Sequence, residues 1–229
     1  MADLSLRRNM LYAGLCSLLL PLPSLAAQAP ASVPPPSGKP TDTTAKTPSP
    51  AAANTPIWPA WESFRTQFMN EGGRILSGAE GTGQTYSEAQ AYALFFALVA
   101  NDRASFEKIL AWTENNLCAG DMTTRLPAWL WGKRPDGTWD VMDSNPASDA
   151  DLWIAYALGE AGRLWNERRY RALSTLLAAR ILREETADLP GLGRSLLPAP
   201  KGFTQGGQRW RLNPSYMPPQ VMEWLAHTQ

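Results

Sequence analysis

Two short stretches with the same local grammar constrain how this chain can fold. Tyr86-Ser87-Glu88-Ala89-Gln90-Ala91-Tyr92 leads into an apolar run through Leu94, Phe95, Phe96, Leu98 and Val99. Asn145-Pro146-Ala147-Ser148-Asp149-Ala150-Asp151 leads into another, through Leu152, Trp153, Ile154 and Ala155. In each, a serine is followed three residues later by Gln90 or Asp151, the pattern of a capping box at a helix start. Ser87, Gln90, Ser148 and Asp151 are therefore expected to be structural caps. Glu88 and Asp149 then share one position, the first helical residue, where a side chain points out of the helix end. Both helices are apolar on most sides, which marks them as interior.

Helices with a single apolar stripe alternate with these. Residues 59–69 read as a first helix, with Trp61, Phe64, Phe68 and Met69 at helical spacing. Residues 105–117 carry a stripe of Phe106, Ile109, Leu110 and Leu117, and residues 166–185 one of Tyr170, Leu173, Leu176, Leu177 and Ile181. Residues 119–145 read as a long loop, with a short hairpin across 132–139, and residues 189–211 as a second loop. A last helix is expected to open at Pro214 or Ser215 and to run on through 220–227. No window shows sustained strand alternation, so the fold class is all-α. The interior helices start near 88, 149 and 215, a repeat of about 60 residues in which each unit is a helical hairpin plus a loop. Such hairpins stack into a ring or solenoid. Three of them do not close a ring, so the chain is either an open solenoid or part of something longer.

Composition narrows the function. Lysine plus arginine equals aspartate plus glutamate at 21 each, which argues against nucleic acid or an anionic membrane as a partner. Residues 1–26 have a basic start at Arg7 and Arg8, an apolar stretch over 10–22 and a small-x-small site at Ser24-Leu25-Ala26. They read as a signal peptide, so a periplasmic or secreted protein is expected, with no stable membrane insertion once it is removed. Residues 27–56, rich in Pro, Ala and Thr, read as a disordered linker. Residues 57–229 are left as the folding domain. Beyond the signal the only cysteine is Cys118, expected to be a buried core residue. The only histidine is His227, which removes most Ser-His-Asp, Cys-His and histidine-zinc chemistry. No metal and no cofactor are expected, and hydrolytic chemistry must run on carboxylates.

Acids are common in the first turn of any helix because they complement its dipole, and capping accounts for Asp151. Glu88 and Asp149 stand apart: their setting is repeated, and their neighbours are Tyr, Trp and Asn. Cleavage of a glycosidic bond needs such a pair, one acid to protonate the leaving oxygen and others to activate water or steady the charge on the sugar ring. Aromatic rings stack on sugar faces, so Trp129, Trp131, Tyr92 and Tyr216 are candidate substrate contacts. For Trp129, Trp131 and Tyr216 a packing role is equally open. Two other readings also stay open, a glucan-binding protein that does not cut and a helical scaffold whose acids only cap helices.

The segment Ala147-Ser148-Asp149-Ala150-Asp151, followed by Ile154-Ala155, Ala157-Leu158, Ala161 and Trp165, resembles the signature of family 8 glycoside hydrolases. Ser87-Glu88-Ala89-Gln90-Ala91-Tyr92 is similar to the segment holding that family's proton donor, with Ala89 where a glycine is usual. Trp58-Pro59-Ala60-Trp61, Leu126-Pro127-Ala128-Trp129-Leu130-Trp131-Gly132-Lys133, Pro190-Gly191-Leu192-Gly193 and Asn213-Pro214-Ser215-Tyr216-Met217-Pro218-Pro219 resemble the branch found with bacterial cellulose synthases. The resemblance implies an (α/α)6 barrel of helical hairpins, of which the first half to two-thirds is present. It implies inverting, endo-acting cleavage of a β-1,4-glucan such as cellulose, with Glu88 as general acid and Asp149 steadying the sugar at the cleavage point. It also implies a functional link to cellulose synthase, and a monomer is expected. The family's general base lies in a later segment. No residue before Gln229 matches it, so the chain is expected to be C-terminally truncated and its own activity is in question.

Overall fold

Alternation of interior and surface helices builds the molecule. The computed structural model describes residues 58–77 and 83–228, so the expected signal (1–26) and linker (27–56) lie outside the described residues. Among the described residues there are six α-helices: α1 (Pro59–Phe68), α2 (Ser87–Val99), α3 (Arg103–Leu117), α4 (Ser148–Leu164), α5 (Arg168–Glu184) and α6 (Pro219–Thr228). The helix at α2 packs on α3 and α4, and α4 packs on α5 and α6. As the apolar runs predict, α2 and α4 are the interior pair. They bury Ala91, Leu94, Ala97 and Leu98 on one, and Leu152, Ile154, Ala155, Ala157, Leu158 and Ala161 on the other. Cys118 is also fully buried.

Two glycines let α4 sit close to its neighbours. A Cβ on Gly159 would overlap the Trp224 ring of α6 and the Ser174 hydroxyl of α5, and one on Gly162 would overlap Arg171 of α5. The hairpins close in the same way. Beyond the ends of α2 and α4, Asn101 and Asn166 both take the left-handed conformation at φ 53°, which asparagine tolerates better than most residues. Asp102 then caps α3, accepting from the Ser105 amide at 3.0 Å, and its other oxygen accepts from the Trp61 indole at 3.0 Å. Asn101 accepts from the Trp165 indole at 2.8 Å, which ties one hairpin end to the next.

The all-α reading holds, with one addition. Among the described residues, three small sheets decorate the loops. β1 (Thr85–Tyr86), β2 (Leu130–Lys133) and β3 (Trp139–Asp143) form an antiparallel three-stranded sheet. β4 (Thr186–Leu189) pairs with β5 (Gly193–Leu196), and β6 (Thr204–Gln205) pairs with β7 (Arg209–Trp210). Strands this short leave no alternation to detect. The 189–211 region is thus largely two hairpins, and the hairpin expected over 132–139 is longer and joined by β1. The last inner helix is interrupted as well. A 3₁₀ turn covers Pro214–Tyr216, capped by Asn213, and α6 begins only at Pro219. Pro218 and Pro219 supply no amide hydrogen there.

The capping boxes do not form. Both helices begin at the serine itself, after Tyr86 and Ala147 in extended conformation, with no side-chain cap at either end. The Ser87 hydroxyl bonds to Glu88 Oε2 at 3.3 Å. The Ser148 hydroxyl is buried with no hydrogen-bond partner. The Gln90 amide goes inward, where it accepts from the Ile75 amide at 2.7 Å and donates to Gly73 O, Ile109 O and Thr113 Oγ1. Asp151 also goes inward. Distant groups displace the local capping geometry at Gln90 and Asp151, and neither serine is left facing the amide it was expected to cap.

Candidate active site

The mouth of α2 is assembled by the sheet. Pairing of β1 with β2 brings the 129–131 segment across the start of α2, and the Ser87 amide donates to Trp129 O at 2.9 Å. This carries the Trp129 indole to the acid: Nε1 donates to Glu88 Oε1 at 3.0 Å. Trp129 is only 4% exposed and packs on Tyr86 with ring centroids 5.4 Å apart. Tyr86 is fixed in turn by donating to Gln84 Oε1 at 3.1 Å. Trp129 is therefore not an open platform for a sugar. It holds the half-buried Glu88 side chain.

The mouth of α4 is assembled by the loop after β5. The Ser148 amide donates to Pro198 O at 3.1 Å, and Asn145 both donates to Lys201 O and accepts from the Lys201 amide. Asp149 is 2% exposed, and its Oδ1 accepts from the Ala150 amide at 2.9 Å.

Tyr92 shows that the helix mouths meet. Burial raises its hydroxyl pKa, and the charges of Asp149, Glu88 and Tyr216 add to the effect. The hydroxyl is thus a donor at any ordinary pH, within the field of both acids. The buried Tyr216 ring belongs to the 3₁₀ turn, so the third helix start contributes to the same cluster. The Tyr92 ring lies edge-on to Trp153, 6.1 Å away.

Trp131 stands apart from this cluster. It stacks on Trp139 at 5.2 Å, meets the edge of Trp112 at 5.4 Å, and has the Arg74 guanidinium 4.3 Å from its ring centroid. Those contacts occupy Trp131 with protein, and burial lowers the Arg74 pKa. Asp151 stands apart too. It is fully buried against Glu185, the residue that closes α5. The sequence gives no signal for Glu185, because Arg183-Glu184-Glu185 reads as a solvated charge run. Among the described residues, no group of three or more His, Cys, Asp or Glu is placed to hold a metal ion. None of the described helices is long and apolar enough to cross a membrane.

Interior helices that present carboxylates and aromatic rings at one end define a helical-barrel protein with an acid-based site. The chain belongs to glycosyl hydrolase family 8: the model of that family matches residues 45–229. It is 50% identical over 169 residues to an endoglucanase of Escherichia coli O157:H7, covering 74% of this chain and 46% of that protein. The structure is similar to that of endo-1,4-D-glucanase from Vibrio fischeri ES114, with TM-score 0.70 and 52% identity, over 72% of this chain and 48% of that one. It is also similar to a family 8 endoglucanase from Klebsiella pneumoniae, with TM-score 0.67 and 32% identity, over 75% and 53%. The helices form part of the (α/α)6 barrel of these structures. The chain spans about half the length of the relatives it matches.

Proposed function

We propose that this chain carries the proton-donating side of an endo-acting β-1,4-glucanase site. The supporting observation is the Trp129 indole bonded to Glu88 Oε1 at 3.0 Å, in a cluster shared with Asp149, Tyr92 and Tyr216. In this reading the Glu88 carboxyl, with Oε1 held by the indole and Oε2 bonded by the Ser87 hydroxyl, carries the proton to the glycosidic oxygen. Asp149, anchored on its own helix turn, steadies the positive charge that develops on the sugar ring. Tyr92 donates a hydrogen bond to the substrate. The proposed substrate is a cellulose-type glucan, cleaved with inversion by a water on the opposite face of the ring. A periplasmic or secreted location and a link to cellulose synthase belong to the same reading, on the strength of the family resemblance.

Reducing-sugar release from carboxymethylcellulose, measured together with glucan binding, tests this. Glu88→Gln is expected to lower turnover by about 10²–10⁴-fold while glucan binding persists. Equal turnover in the two proteins would remove Glu88 from the chemistry. A second reading is glucan binding without cleavage, because none of the described residues is assigned the water-activating role. It predicts that both proteins bind glucan and that neither releases reducing sugar.

A further inference from the structure

Asp151 and Glu185 are both fully buried, and none of their four carboxyl oxygens has a hydrogen-bond donor among the described residues. The two carboxyl groups lie within hydrogen-bonding reach of each other. The other groups acting on the pair supply no positive charge. They are Asp149 on α4, Glu88 on α2 and Glu184 on α5, with the buried Cys118 thiol at the end of α3. Two buried carboxylates without a donor or a cation are costly, because each loses its hydration and repels the other. A single proton between them removes the repulsion and makes one group a donor to the other, which lowers the cost of the one charge that remains. Burial accordingly raises the pKa of both acids; the charges of Glu185 and Asp149 add to it at Asp151, and at Glu185 the charges of Asp149 and Glu184 add to it while the hydrogen bond with Asp151 works against it.

We propose that Asp151 and Glu185 share one proton beneath Asp149, and that the protonated pair ties the opening turn of α4 to the end of α5. Asp151 is two residues from Asp149 on the turn whose Asp151 amide bonds to Ala147 O at 3.0 Å. Glu185 also anchors the loop that meets α4: its carbonyl accepts from the Leu197 amide at 2.7 Å, one residue before Pro198. The pair is a positioning device for the α4 mouth, and its proton is independent of any glucan chemistry.

The folded chain then binds more protons than the unfolded chain above the ordinary carboxylate range. Stability from the pair is complete below about pH 4 and is lost as pH rises through the raised folded pKa. Three measurements on the full chain test this. Infrared spectroscopy of the wild type at neutral pH is expected to show a protonated carboxyl that Asp151→Asn abolishes. Unfolding midpoints are expected to fall with rising pH in the wild type by a slope equivalent to about one proton. That slope should flatten in Asp151→Asn, whose amide supplies the donor permanently. Glu185→Gln should flatten it as well, and serves if Asp151→Asn does not fold. Hydrogen exchange should show the Asp151 and Leu152 amides losing protection at high pH in the wild type but not in the variant. A neutral-pH spectrum with carboxylates only would overturn the proposal. So would an unchanged pH slope in both variants, or a midpoint that falls on chelation, which would point to a bound cation in place of the proton.

Discussion

The mouths of α2 and α4 have matching sequences and different interiors. At position four of α2, the Gln90 amide reaches the 73–75 segment and α3 with four hydrogen bonds, and is satisfied as both donor and acceptor. At position four of α4, Asp151 meets another acid. An amide carries its own donor, whereas an acid in the same place acquires one only by holding a proton. The residues at position two differ in the same manner. Glu88 is half-buried and held by an indole from another strand, and Asp149 is almost fully buried and bonds to its own helix turn. Matching register places side chains alike, and the packed neighbours then decide their charge and their partners.

The largest stability effect that would sharpen this contrast is at Gln90. Gln90→Leu keeps most of the volume but leaves the buried Ile75 amide without an acceptor, and is expected to cost about 3 kcal/mol. For a chain of this size that lowers the melting temperature by roughly 6–12 °C. Asp151→Asn, with a donor in place of the shared proton, is expected to stay within about 1 kcal/mol of wild type at neutral pH. Equal losses in thermal melts of the two variants would show that the two interiors are not energetically distinct.

How much of this was legible in the sequence depends on how local the cause is. The paired mouths and the interior character of α2 and α4 follow from residues close in sequence, whereas Asn166, read as the first residue of a helix, is a left-handed turn residue and the helix starts at Arg168. The capping boxes failed because Gln90 and Asp151 had stronger partners far along the chain, at Ile75 and Glu185. Apart from the hairpin expected over 132–139, the strands went unseen because pieces such as Thr85–Tyr86 are too short for a pattern. Trp129, equally balanced between core and binding, belongs to neither alone: it is buried and it grips Glu88. Glu185 was invisible, since its burial comes from where α5 ends against α4 and not from its neighbours in sequence.

Next in size is Trp129→Phe. It keeps the ring against Tyr86 and removes only the indole donor to Glu88. Misplacing a catalytic group by about 1 Å can cost about 10²-fold, so turnover on carboxymethylcellulose is expected to fall about 10–100-fold, while loss of this one hydrogen bond costs no more than about 1 kcal/mol of stability. A loss of stability without a loss of turnover would make Trp129 a core residue only.

The smallest effects separate an observed cap from an expected one. Asp102→Ala removes the side-chain bond to the Ser105 amide and the acceptor of the Trp61 indole, and is expected to cost about 1–2 kcal/mol. Burial raises the Asp102 pKa, but its bonds from Ser105 and Trp61 and the nearby Arg65 outweigh this and leave it lowered. Its contribution is therefore present above the ordinary carboxylate range and lost as pH falls through the lowered value, opposite in sign to the Asp151–Glu185 pair. Ser148→Ala, by contrast, removes a buried hydroxyl that has no hydrogen-bond partner. It is expected to lie within about 0.5 kcal/mol of wild type, or to stabilise slightly, because no hydrogen bond is lost. Denaturant midpoints for the two variants check both. A loss at Ser148 as large as that at Asp102 would mean that the α4 mouth is capped by its serine after all, and would bring the two helix mouths back to a common design.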